Sequence, residues 1–196
     1  VTSAANQTTA LTGQCNIIDF EDDPSVGGNL GWNPDYGAEP SSVAAHSAWL
    51  RIKGLNITGT PNGFVWSTKK SGDLGITGVI IGFASPDFSE YAGLSDNEQL
   101  TLRLFSSSPK SVQIGLTTAP STSLNNLLST VVADAYDASS NLVGSATKSF
   151  TIVTNNAYTP TKINVTSSSA NIAKVVLRAA QYPYDGVYLE DVVSCT

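Results

Sequence analysis

From residue 99 to the C-terminus the chain alternates apolar and polar residues with a period of two, in runs of six to ten, and nowhere sustains a helical period. Residues 99–105 set Leu100, Leu102 and Leu104 against Thr101, Arg103 and Phe105. Residues 111–116 place Val112, Ile114 and Leu116 on one side. Residues 128–136 and 142–151 flank Asp-Ala-Ser-Ser-Asn at 137–141, a turn sequence that predicts a β-hairpin. Three further strands are expected at 161–166, 173–178 and 186–194. One-sided strands must cover their apolar faces, and the economical arrangement is two packed antiparallel sheets. The predicted fold class is therefore all-β, a two-sheet antiparallel β-sandwich of the jelly-roll kind.

The first half is less regular. Residues 1–14 are polar and aperiodic and read as a flexible N-terminal segment, leaving 15–196 as a single β-sandwich domain. Residues 15–21 form the first predicted strand, and 22–42, rich in Pro, Gly, Asp and Asn, a long loop. Alternation at 47–53 puts Trp49, Arg51 and Lys53 opposite Leu50 and Ile52. A short strand is expected at 64–67, a turn at 69–73, an apolar strand at 75–83 and a helical turn at 125–128. Composition agrees with strands: 45 residues are Ser or Thr, only 13% are charged, and the 41% hydrophobic content argues against disorder.

Net charge is −6 with only ten Lys and Arg, scattered along the chain, which argues against nucleic acid as a partner. No stretch reaches the roughly 18 apolar residues of a membrane-spanning helix, so membrane insertion is not expected. Cys15 and Cys195 flank the first and last predicted strands, which are often neighbours in a sandwich. A disulfide between them is expected, two buried free thiols being the alternative. Asn6, Asn56 and Asn164 stand in N-x-[ST] sequons, as sites of glycosylation or as chance triplets of a Ser/Thr-rich chain. A chain opening at Val1 is expected for a processed, secreted protein, and a monomer is expected.

Three pieces of sequence stand in a familiar order: Phe20-Glu21, then Gly31-Trp32 with Ala48-Trp49-Leu50-Arg51-Ile52-Lys53-Gly54, and finally Gly186-Val187-Tyr188-Leu189-Glu190-Asp191-Val192-Val193. Together with the hairpin at 131–145, this resembles jelly-roll carbohydrate-binding modules of the galactose-binding-like type. The resemblance covers about a third of the chain, and the closing pair is Glu-Asp where two aspartates are usual. It implies a structural calcium where the first and last strands meet. Glu21 with Glu190 or Asp191 would be its ligands and Asp19 or Asp22 alternates, since a hard cation relieves the repulsion of clustered carboxylates. The alternative is that these acids are solvated at strand ends.

Glycans stack their C–H faces on aromatic rings while polar side chains hold the hydroxyls. Trp32, Tyr36, Trp49, Tyr182 and Tyr184, with Arg51, are the candidate ligand-binding residues, each ring having a core position as its alternative. No catalytic residue is expected. The single histidine, His46, lacks a Gly-x-Ser-x-Gly elbow, and one His with two Cys cannot build a common zinc site. The N-terminal histidine of a copper monooxygenase is absent from Val1. Asp87, Glu90 and Glu98 would make a glycosidase only if the fold aimed two of them into one cleft. The expected function is a secreted, non-catalytic carbohydrate-binding module for a cell-wall or extracellular polysaccharide, with a neutral glycan favoured unless Arg51 and Lys53 form a basic patch. The alternatives are a jelly-roll polysaccharide lyase or glycoside hydrolase, and a structural or adhesive cell-surface protein.

Overall fold

The computed structural model describes residues 13–18, 51–52, 55–60, 65–71, 77–84, 91–92, 99–104, 108–118, 128–151, 159–181 and 187–196. Among these, every regular element is a β-strand. In chain order they are β1 (Cys15–Ile18), β2 (Arg51–Ile52), β3 (Leu55–Thr60), β4 (Val65–Ser71), β5 (Thr77–Ala84), β6 (Tyr91–Ala92), β7 (Gln99–Leu104), β8 (Ser111–Thr118), β9 (Leu128–Tyr136), β10 (Leu142–Thr151), β11 (Thr159–Thr166), β12 (Lys174–Gln181) and β13 (Val187–Cys195).

The strands form two antiparallel sheets. The first runs β11-β8-β13-β5-β4, with β1 beside β13 and β6 beside β5; the second runs β10-β9-β12-β7-β3-β2. The pairings nest. The hairpin β9–β10 lies at the centre, β8 pairs β11, β7 pairs β12, and β5 pairs β13. One long hairpin folded across two sheets in this way is the jelly-roll winding, so the predicted sandwich is the observed fold.

Alternation decides which side chains fill the space between the sheets. Leu55, Ile57, Leu100, Leu102, Val131, Ala133, Ala135, Val175 and Leu177 enter it from the second sheet. Ile18, Val112, Ile114, Leu116, Ile163, Val165, Leu189 and Val192 enter from the first. Leu189 and Val192 are three positions apart, so a regular strand would turn one of them outward. A bulge between Leu189 and Asp191 in the pairing with β8 absorbs one residue and lets both point inward. At the edge strand β10, Lys148 is the cross-strand partner of core Val131, a charge on the inner-facing row that discourages edge-to-edge pairing.

The hairpin strands match their predicted bounds, and eight other predicted strands coincide with β1, β2, β5, β7, β8, β11, β12 and β13 within their described residues to a few positions. Two local readings change. The strand expected at 64–67 continues to Ser71, through the predicted turn, because Lys69, Lys70 and Ser71 find ladder partners in Val79, Gly78 and Thr77. The sequence reading assigned no strand to β3, where Asn56, Gly59 and two threonines dilute the apolar signal of Leu55 and Ile57. Pairing with β7 along all six residues supplies what local propensity does not.

Candidate functional site

The anticipated residues divide by what the structure describes. Trp32, Tyr36, Trp49, Tyr182, Tyr184, Asp19, Glu21, Asp22, Asn6, His46, Lys53, Asp87, Glu90 and Glu98 lie outside the described residues. Arg51 opens β2, Asn56 lies in β3, Asn164 in β11, and Glu190 with Asp191 in β13. Cys15 and Cys195 are bonded, and they are cross-strand partners in β1 and β13 with Cα atoms 4.1 Å apart. Backbone bonds brace this corner: the Thr196 amide donates to the Gln14 carbonyl at 3.1 Å, and the Lys110 amide to the Cys195 carbonyl at 2.7 Å.

With Val131, Ala133, Ala135, Val175, Leu177, Leu100 and Leu102 committed to the core, the intervening residues of β9, β12 and β7 must face outward. They are Thr130, Val132, Asp134 and Tyr136; Lys174, Val176 and Arg178; and Gln99, Thr101 and Arg103. The registers align them in rows. One row of Cα partners runs Tyr136, Lys174, Arg103, Asn56 and Arg51 across five strands. The next holds Ser145, Asp134, Val176, Thr101 and Thr58.

The groups on this face are mutually oriented. The Lys174 ammonium stands 5.0 Å from the centroid of the Tyr136 ring, a cation–π distance, and donates to the Ser140 hydroxyl at 3.4 Å. Asp134 accepts from the Ser145 hydroxyl at 2.6 Å and from Arg178 Nε at 3.4 Å. An aromatic ring, three cations and several hydroxyl and amide groups thus share the outer face of one sheet, where Arg103 is exposed, Tyr136, Lys174 and Arg178 are half-buried and Val132 is buried. The sequence analysis named none of them except Arg51 as ligand-binding. The parity of residues 173–178 carried the signal, but it becomes a site only when register sets Lys174 beside Arg103 and Tyr136.

A second cluster lies on the outer face of the first sheet. The bulge sets Asp191 opposite Gly115, and a Cβ on Gly115 would stand only 2.6 Å from Asp191 Cγ. Asp191 Oδ1 is buried and has no hydrogen-bond partner. Buried carboxylate oxygens are ordinarily satisfied, so the orphan suits a cation, and only glycine at position 115 leaves room for the carboxylate. Among the described residues no group of three or more His, Cys, Asp or Glu converges, and of the anticipated acids these residues include Glu190 and Asp191. Asn164 Oδ1, on the neighbouring β11, is also buried without a partner.

No family model matches the chain, and no curated protein matches it. Among solved structures it is similar to the enzymatically active domain of tailspike protein 4 of bacteriophage CBA120, at 12% identity and a TM-score of 0.40, over 76% of this chain and 20% of that one. The chain therefore spans about a fifth of that protein's length. It is also similar to the family 11 carbohydrate-binding module of the cellulosomal cellulase Lic26A-Cel5E of Clostridium thermocellum, at 10% identity and a TM-score of 0.30, over 71% of this chain and 88% of that one. The family 11 module from Clostridium thermocellum in complex with a β-1,3-1,4-mixed-linked tetrasaccharide is similar to the same degree, at 10% identity and a TM-score of 0.30, covering 71% of this chain and 89% of its own.

Proposed function

We propose that this chain is a secreted, non-catalytic carbohydrate-binding module that takes a polysaccharide on the outer face of its second sheet. The observation that carries the reading is the row of Tyr136, Lys174 and Arg103 on three adjacent strands. A ring with polar neighbours offers a surface for sugar C–H groups and donors for sugar hydroxyls. Strands hold such groups in place without ordering cost on binding, which is where a loop site loses affinity. Trp32, Tyr36, Trp49, Tyr182 and Tyr184 belong to the same proposal as further stacking platforms on the loops. Asp134 argues for binding over catalysis, because its two oxygens are engaged by Ser145 and Arg178 and no second carboxylate is set opposite it among the described residues.

A structural calcium is part of the proposal. Asp191, through its orphaned oxygen, and Glu190 would hold it with Asp19 or Glu21. Bound there, it would neutralise the acids and tie the first strand to the last. Secretion fits the disulfide, which persists in oxidising compartments.

The test is affinity electrophoresis through gels carrying a panel of neutral and acidic polysaccharides, with each sample examined afterwards for shortened or unsaturated products. Retardation without products, reduced by Tyr136→Ala, is the expected result. Products would replace the reading with a jelly-roll lyase or hydrolase. Free migration through every polysaccharide would overturn it in favour of a structural or adhesive role.

A further inference from the structure

Two described asparagines brace turns: Asn141 gives its amide nitrogen to Asp137, and Asn171 accepts from the Ser167 hydroxyl. Asn164 is placed differently. It lies in β11, the end strand of the first sheet, between the buried Ile163 and Val165. Alternation therefore sets Lys162, Asn164 and Thr166 together on the outer face. Lys162 and Thr166 are exposed, and Asn164 is half-buried. Its Oδ1 is buried without a hydrogen-bond partner. A side-chain amide whose oxygen is turned in has its nitrogen, on the other side of the carbonyl carbon, turned out. Asn164-Val165-Thr166 is also one of the three N-x-[ST] sequons of the chain.

We propose that Asn164 carries an N-linked glycan, an assignment that stands apart from the carbohydrate-binding reading. A sequon that arises by chance is as free to face the core as the solvent. Here the buried positions of β11 fall on Ile163 and Val165, and both recognition residues, Asn164 and Thr166, take the solvent side. A glycan is bulky and hydrophilic and must stay at the surface once the chain has folded. The end strand supplies that room: among the described strands β11 pairs β8 alone, and Lys162 and Thr166 beside the asparagine are exposed. In the transfer, Asn164 Nδ2 forms a bond to the anomeric carbon of an oligosaccharide carried on a lipid pyrophosphate. The bond from that carbon to the pyrophosphate oxygen breaks, the lipid pyrophosphate leaves, and Nδ2 gives up one proton. The Cys15–Cys195 bond belongs to the oxidising compartments in which such donors act. A glycan on the first sheet stands across the sandwich from Tyr136 and Lys174 and leaves that face open.

The test is a peptide map of the full chain from its native source. Peptide-N-glycosidase in heavy-oxygen water converts a glycosylated asparagine to labelled aspartate. Cleavage after Lys162 and Lys174 then releases residues 163–174, in which Asn164 is the sequon asparagine and Asn171 an internal control. The expected result is labelled aspartate at position 164 in most copies, the amide retained at 171, and a faster-migrating chain after the enzyme. Produced in a secreting eukaryotic host, Thr166→Ala should lose the label and Thr166→Ser should keep it, since the sequon needs a hydroxyl two residues on. Asn164 recovered as unlabelled asparagine from the native chain overturns the inference, whether or not Asn6 or Asn56 is labelled. A label that survives Thr166→Ala overturns it as well, because the modification would then not follow the sequon.

Discussion

Asp191 lies across the β13–β8 register from Gly115, with its carboxylate packed where the glycine's missing side chain would be. Gly115→Ala would drive a methyl group into that carboxylate, and the neighbours are held by ladder bonds on both sides. The substitution should lower stability by about 1–3 kcal/mol, the usual cost of overpacking. Gly115→Ala combined with Asp191→Ala should recover most of the loss, since the obstructing group is gone. Urea denaturation of the three proteins checks this, and an unchanged midpoint in Gly115→Ala would show that the carboxylate does not occupy the space.

The orphaned Asp191 oxygen makes a second, separable prediction. If calcium sits there, saturating it a hundredfold above its dissociation constant contributes about 2.7 kcal/mol. For a chain of this length that corresponds to roughly 5–10 °C in melting temperature. Calorimetry should show that fall when chelator replaces calcium, and Asp191→Asn should be indifferent to the exchange. A native protein that melts identically in both buffers and carries no calcium on elemental analysis sinks the metal proposal while leaving the binding face untouched.

The Cys15–Cys195 bond closes a loop with a sequence separation of 180. Constraining so long a loop in the unfolded chain stabilises by about 5 kcal/mol in the chain-entropy picture. Because β1 is four residues long and among the described strands pairs with β13, the bond adds to what that pairing and the buried Ile18 supply. Cys15→Ala/Cys195→Ala should therefore lose about 3–5 kcal/mol. Amide exchange should rise first at Asn16 and Ile17, ahead of β8 and β9. Uniform loss across both sheets would indicate that β1 is integral to the sandwich and not pinned by the bond.

How much of this was readable in advance follows from where the information resides. The core is written in the alternation of strands such as β9 and β12, because burying Val131 and Val175 dictates the parity of every neighbour. The disulfide was readable because the only two cysteines flank the terminal strands. Strand β3 was not, since its pairing with β7 is non-local and Asn56 and Gly59 interrupt its strand signal. The Tyr136–Lys174–Arg103 row was equally hidden. Each residue is unremarkable in its own segment, and only register across three strands distant in sequence assembles them. The bulge at Asp191 follows the same logic, for it exists to reconcile two core residues three positions apart.

The hairpin tip provides a pH-dependent prediction. Asp137 Oδ1 accepts from the amides of Ser139 at 2.9 Å and Asn141 at 2.8 Å, and Oδ2 from Asn141 Nδ2 at 3.0 Å. The turn closes with the Asp137 amide on the Asn141 carbonyl, and Ser140 adopts φ 65° to fit. The Asn141 side chain above all, then its amide, and last the amide of Ser139, hold the Asp137 carboxyl below its ordinary value of 3.8 against an opposing effect of desolvation. A carboxyl lowered by folding stabilises the folded state above its unfolded value and ceases to do so as pH falls through the folded one. The turn should therefore be fully braced at neutral pH and loosen in acid, below 3.8. Asp137→Asn sets an amide donor against Asn141 Nδ2, so amide exchange at Ser139 and Asn141 should accelerate at neutral pH. The difference from the native protein should shrink in acid, where the native carboxyl is protonated as well. Carboxyl-carbon NMR titration reads the same group directly, and a midpoint at or above 3.8 would mean that the turn's hydrogen bonds do not favour the charged form.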